Sequence, residues 1–148
     1  MTINVTPLIL SIAAVESGGN PLAVGKAGEL SAFQISPAVW AQHAKSDEPF
    51  ALASHPDGVL AAHIAEAHVV WLTRQLEAAG VPVTVENLAN GWHLGATGAI
   101  RRALRGAEQS PTSYSARVAN GYAAALAAQP SRAPEHLRDV LPPPPQHP

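Results

Sequence analysis

Proline and glycine punctuate this chain at intervals that cut it into helix-length segments, and this punctuation limits the fold more than any other feature. Thr6-Pro7 reads as a helix start, with Thr6 as N-cap and Pro7 at the first helical position. Leu8, Ile12 and Val15 then fall on one face at helical spacing. Gly18-Gly19-Asn20-Pro21 ends that segment, and a glycine-rich loop follows over about 22–31. After the short apolar stretch 32–35, Ser36-Pro37 opens a second helix that carries Val39 and Trp40 to about Ala44. Residues 45–56 read as loop. Asp57 is placed to cap a long third helix to about Ala79, with Leu60, Ile64, Ala67 and Trp71 as its apolar stripe. Gly80-Val81-Pro82 breaks it. Thr84 caps a fourth helix with Leu88 and Trp92, a short fifth spans about 97–104 before Gly106, and Ser110-Pro111 opens a sixth. That last one runs through Tyr114, Val118 and Tyr122 to about Ala127. No segment reads as a convincing strand, so the expected class is all-α.

A chain of 148 residues can bury one real core. Residues 1–128 read as one domain and 129–148 as a proline-rich tail, ending in Pro142 to Pro145, that is expected to be disordered or extended. Alanine is abundant, which with Leu, Arg and Glu favours helix. A net charge of −2 and a pI near 6.4 give no reason to expect nucleic acid as partner. Without cysteine, disulfides and thiolate metal sites are excluded. The apolar run 8–15 could pass for the core of a signal peptide, but no Lys or Arg precedes it. It reads instead as the buried face of the first helix, and no apolar run reaches the roughly 18 residues of a membrane span.

Glu16 is the residue with the clearest chemical potential. It sits in the last turn of an apolar helix, just before a glycine loop. Burial beside apolar groups and the negative end of the helix dipole both favour its protonated form. A carboxylic acid that holds its proton near neutral pH is suited to protonating a glycosidic oxygen. The neighbouring glycines let a polymer approach the backbone closely.

Glu16 is followed by Ser17-Gly18-Gly19-Asn20-Pro21-Leu22-Ala23, then by Gly28-Glu29-Leu30-Ser31-Ala32-Phe33-Gln34. Further on come Gly91-Trp92-His93-Leu94-Gly95 and Tyr114-Ser115-Ala116-Arg117-Val118-Ala119-Asn120-Gly121-Tyr122. In this order and spacing they resemble the lytic transglycosylases, which share a helical fold with goose-type lysozyme. The resemblance covers roughly residues 8–123. It implies a compact lysozyme-like domain acting on peptidoglycan glycan strands, with Glu16 as general acid/base. It further implies that Ser17, Gln34, Trp92 and Tyr114 contact or position the substrate. Ser31 stands where the family usually has glycine, Phe33 where Met is common and His93 where Asn is common, which bears on substrate fit.

The implied reaction is non-hydrolytic and leaves a 1,6-anhydro-muramic acid end. A second carboxylate would allow hydrolysis by a lysozyme-type muramidase instead, and Glu29 is the nearest candidate, ahead of Asp47, Glu48 and Asp57. A weakly active glycan-binding scaffold is the third reading. His93 is placed to meet sugar hydroxyls or to pack. No metal or cofactor is expected: H-E-x-x-H is absent, and His63 and His68 are spaced off a common helix face. Arg101, Arg102 and Arg105 read as a solvated helix face. A monomer is expected, acting in the periplasm or outside the cell because the substrate lies there.

Overall fold

The computed structural model describes residues 2–106 and 111–129. Five helices account for most of them: α1 (Val5–Ser17), α2 (Pro37–His43), α3 (Val59–Ala78), α4 (Val85–Leu104) and α5 (Ser113–Ala128). A single 3₁₀ turn, Phe50–Ala53, lies in the stretch expected to be loop. Among the described residues the only β structure is a pair of isolated bridges, Val24 with Leu30 and Leu30 with Ile35. The protein is therefore all-α over the described residues. Residues 130–148, which hold nearly all of the expected tail, lie outside them, as does Ser110.

The helices bury one shared face each. α1 packs chiefly on α5, α5 on α4 and α4 on α3, with α2 set against α3. Leu8 and Ile12 of α1, Leu72 and Leu76 of α3, Leu88 of α4 and Val118 of α5 meet in the interior, together with Ile35 from the loop. Burying each of these side chains stabilises the fold by about 1.5–3 kcal/mol. The run 8–15 is thus a core helix: Leu8, Ile9, Ile12 and Ala13 are buried.

The helix ends follow local chemistry, with shifts of one or two residues. Ser36 caps α2 and Thr84 caps α4, each accepting an N–H through its side chain as expected. α1 starts before Thr6, at an Asn4 N-cap that makes no side-chain bond. Tertiary anchoring explains the earlier start, because Asn4 N–H donates to the Tyr122 hydroxyl of α5 at 3.2 Å. Gly58, not Asp57, is the N-cap of α3, in a left-handed conformation. Asp57 still serves that end, its carboxylate accepting Val59 N–H at 2.9 Å. α5 is capped by Thr112, whose hydroxyl accepts Ser115 N–H, rather than by Ser110.

The expected fourth and fifth helices are both present as the two halves of α4, which meet at a break at Gly95, where φ 81° and ψ 162° suit glycine alone. The expected stripe of α3 needs correction. The buried stripe of α3 is Ala61, Ala65, His68, Leu72 and Leu76 with Ile64 and Val69. Ala67 is exposed and Trp71 only half-buried. α3 touches α1, α2 and α4, so its inward face is wide and centred about one residue away from the periodicity read in sequence.

Candidate functional site

A cleft of about 680 Å³ opens between the C-terminal end of α1, the loop 24–36, and the facing sides of α2, α3 and α4. Glu16 lines it. α1 delivers Glu16 there because its last turn ends in a Schellman-type cap: Gly18 is left-handed, Gly18 N–H reaches Ala14 O and Gly19 N–H reaches Ala13 O. The chain turns away sharply and leaves the Glu16 carboxyl at the cleft wall.

Ser17 fixes the same turn. Its hydroxyl donates to Ala32 O at 2.7 Å and accepts Asn20 N–H at 3.1 Å. It does not line the cleft. It ties the end of α1 to the loop, and its effect on Glu16 is positional.

The loop is held by backbone pairing, with Gly25 N–H on Glu29 O at 2.8 Å and a mutual pair between Leu30 and Ile35. Gln34 lines the cleft, and its amide N–H groups donate to Ala23 O and Ser31 O. Gly25 leaves the space that the Glu29 carboxylate and Gln34 Oε1 occupy, since a Cβ there would collide with both. Ser31 and Gln34 both have positive φ, 79° and 53°. Ser31 is buried, and its hydroxyl accepts Phe33 N–H at 3.2 Å. A serine thus holds a backbone conformation that glycine adopts without strain.

The electrostatics centre on Glu16. Burial raises its pKa above the ordinary carboxyl value, the negative charge of Glu29 raises it further, and the Arg117 guanidinium opposes both. Tyr114 sits on α5 beside this group. It is buried, its hydroxyl has no hydrogen-bond partner among the described residues, and its pKa is raised by burial and then by the charge of Glu16. Its ring lies flat against that of His93, with centroids 4.4 Å apart and planes 14° apart. His93 is exposed and lines the cleft, so it covers Tyr114 on the cleft side.

Of the residues singled out in sequence, Glu16, Glu29, Gln34, Trp92 and His93 share the cleft, while Ser17 and Tyr114 stand behind it. Asp47, Glu48 and Asp57 do not line it. Three contributors were not foreseen. His68 and Trp71 of α3 form a wall, and Arg117 acts on Glu16 from α5. The legible signal for the wall was a His and a Trp three residues apart on one helix, a spacing that brings side chains together. Among the described residues no group of three or more His, Cys, Asp or Glu could hold a metal ion. No described helix is long and apolar enough to cross a membrane.

Comparison of the chain with protein-family models, with curated proteins and with solved structures finds no match.

Proposed function

We propose that this protein cleaves bacterial peptidoglycan as a lytic transglycosylase, on a lysozyme-like helical domain. The observation that carries the reading is Glu16: a half-buried acid at the cleft wall whose proton is favoured by burial and by Glu29. The motif order around it supplies the substrate class.

In this reading a glycan strand lies along the cleft with the bond between N-acetylmuramic acid and N-acetylglucosamine at Glu16. The Glu16 carboxyl gives its proton to the glycosidic oxygen as the C–O bond breaks. The substrate's own acetamido oxygen bonds to the anomeric carbon and meets the developing positive charge. Glu16, now a carboxylate, removes the proton of the muramic acid 6-hydroxyl. That oxygen then attacks the anomeric carbon and displaces the acetamido oxygen. The product is a 1,6-anhydro ring, the acid has its proton back, and no water is consumed. The Tyr114 hydroxyl, buried behind His93 without a partner, acts on the charge of Glu16 and not on the strand itself.

One observation favours a second reading. Glu29 lines the same cleft and its charge reaches Glu16, so a carboxylate pair exists that could activate water for hydrolysis. Mass spectrometry of purified peptidoglycan, digested with the parent and with Glu16→Gln, separates the two. Anhydro-muropeptides from the parent alone are the expected result. Reducing-end products would select the hydrolase and Glu29. No products, where a control lysozyme works, would leave a glycan-binding scaffold.

A further inference from the structure

The α3 side of the cleft takes no part in the chemistry of Glu16, yet it is built with care. The His68 ring stacks on Trp71 with centroids 5.3 Å apart and planes 15° apart. Trp92 of α4 meets the same imidazole edge-on, at 5.3 Å and 73°. Behind them His43 of α2 holds His68, with His43 Nε2 and His68 Nδ1 2.9 Å apart. All three forward residues line the cleft.

That contact engages only Nδ1. His68 lines the cleft, and no hydrogen bond among the described residues engages its Nε2. Two imidazoles that share one hydrogen bond are interchangeable in tautomer. When His43 donates, His68 Nε2 carries a proton and donates to the cleft. When His68 donates, Nε2 accepts. A hydroxyl or a secondary amide, each able to donate and accept, satisfies it in both states. Burial lowers the His68 pKa to about 4, with His43 adding to the effect, so the ring is neutral at physiological pH.

The charged groups of the cleft, Glu16, Lys26 and Glu29, all belong to α1 and the loop. The α2–α3 side presents Ser36, Gln42, His68 and Trp71, which are uncharged there. Indole faces suit the C–H face of a pyranose, and no cation on this side would balance a phosphate or carboxylate.

We propose that His68, Trp71 and Trp92 form a binding subsite for an uncharged N-acyl-hexosamine ring, stacked on the indoles with its polar substituent read by His68 Nε2. His43 is a positioning residue that fixes the His68 ring. The assignment rests on the cleft being a glycan site, but not on cleavage occurring there.

The test uses the full chain carrying Glu16→Gln, with tri-N-acetylchitotriose as probe, followed by calorimetry and by indole and imidazole ¹⁵N NMR. The Trp71 and Trp92 indole signals and His68 Nε2 are expected to shift, while Trp40, buried away from the cleft, stays still. Trp71→Ala and Trp71→Leu are each expected to weaken binding about tenfold and His68→Phe to weaken it severalfold, with Arg74→Ala on the exposed side of α3 unchanged. Cellotriose, which lacks the acetamide, is expected to bind more weakly. Shifts confined to α1 and the loop, equal binding of cellotriose, or no binding at all would overturn the subsite. The NMR arm needs no variant at the wall, so misfolding cannot mimic failure. Anhydro products from the parent in the digestion assay would keep the catalytic reading even then. Binding at the wall without products would keep the subsite alone.

Discussion

Glu16 answers to two charges that sequence spacing does not connect to it, Glu29 from the loop and Arg117 from α5. Removing each is expected to move its titration in opposite directions: Glu29→Gln toward the ordinary carboxyl value, Arg117→Ala further above it. A ¹³C carboxyl NMR titration reads both, and shifts of the same sign would refute the assignment. A raised folded-state pKa means that the folded protein binds the Glu16 proton more tightly than the unfolded chain. The charged form therefore costs stability above the unfolded pKa, and that cost vanishes at lower pH. Glu16→Gln is expected to raise Tm at about pH 7 and to leave it nearly unchanged near pH 3. Ser31 offers a second test at this scale. Ser31→Gly relieves a left-handed backbone that costs an L-residue about 1–2 kcal/mol but strands Phe33 N–H, whereas Ser31→Ala keeps the strain and strands it too. Urea denaturation is expected to find the alanine variant less stable than the glycine variant by about 1–2 kcal/mol. Glu16 was visible in the chain through its immediate neighbours, and Ser31 only as a departure from the motif that the chain resembles. The field acting on Glu16 was not.

At the scale of elements, the contact between α1 and α5 depends on a pair of small residues. Ser11 Oγ donates to Val118 O at 2.6 Å, and the space beside it exists because residue 121 is glycine. A Cβ at Gly121 would collide with Ser11 Oγ. Gly121→Ala is expected to destabilise by about 1–3 kcal/mol despite alanine's better helix propensity. Ser11→Ala is expected to recover part of that loss in the double variant, so a double-mutant cycle should be non-additive. Additive costs would show that the helices separate freely. Two helix starts at which a side chain caps its own turn were legible, Ser36 and Thr84, whereas Thr112 caps α5 two residues after the expected Ser110. The start of α1 shifted where another element supplies the anchor, as Tyr122 does for Asn4. The α3 stripe shifted because three neighbouring helices, not periodicity, set the width of its buried face.

Over the whole molecule, His68 couples the cleft to stability. Its pKa falls from 6.5 to about 4 on folding, chiefly through burial. Between those values the unfolded chain binds a proton that the folded protein does not, so stability is full above the unfolded pKa and declines as pH falls toward 4. The loss is on the order of 3 kcal/mol at the low end. Denaturation midpoints are expected to show this slope in the parent and a much flatter one in His68→Phe; equal slopes would mean that His68 is protonated when folded. Glu16 contributes with the opposite sign, which makes Glu16→Gln the cleaner background.

The helical class and the turn that presents Glu16 were legible in residue order. Caps, glycines, prolines and helical spacing act across only a few neighbouring positions. The cleft itself arises from convergence. Its walls come from α1, the loop, α2, α3 and α4, and the proton affinity of Glu16 is tuned from the loop and α5. The His43–His68–Trp71–Trp92 wall joins three helices. Burial and electric field depend on distance in space, and packing alone brings these residues within reach of one another.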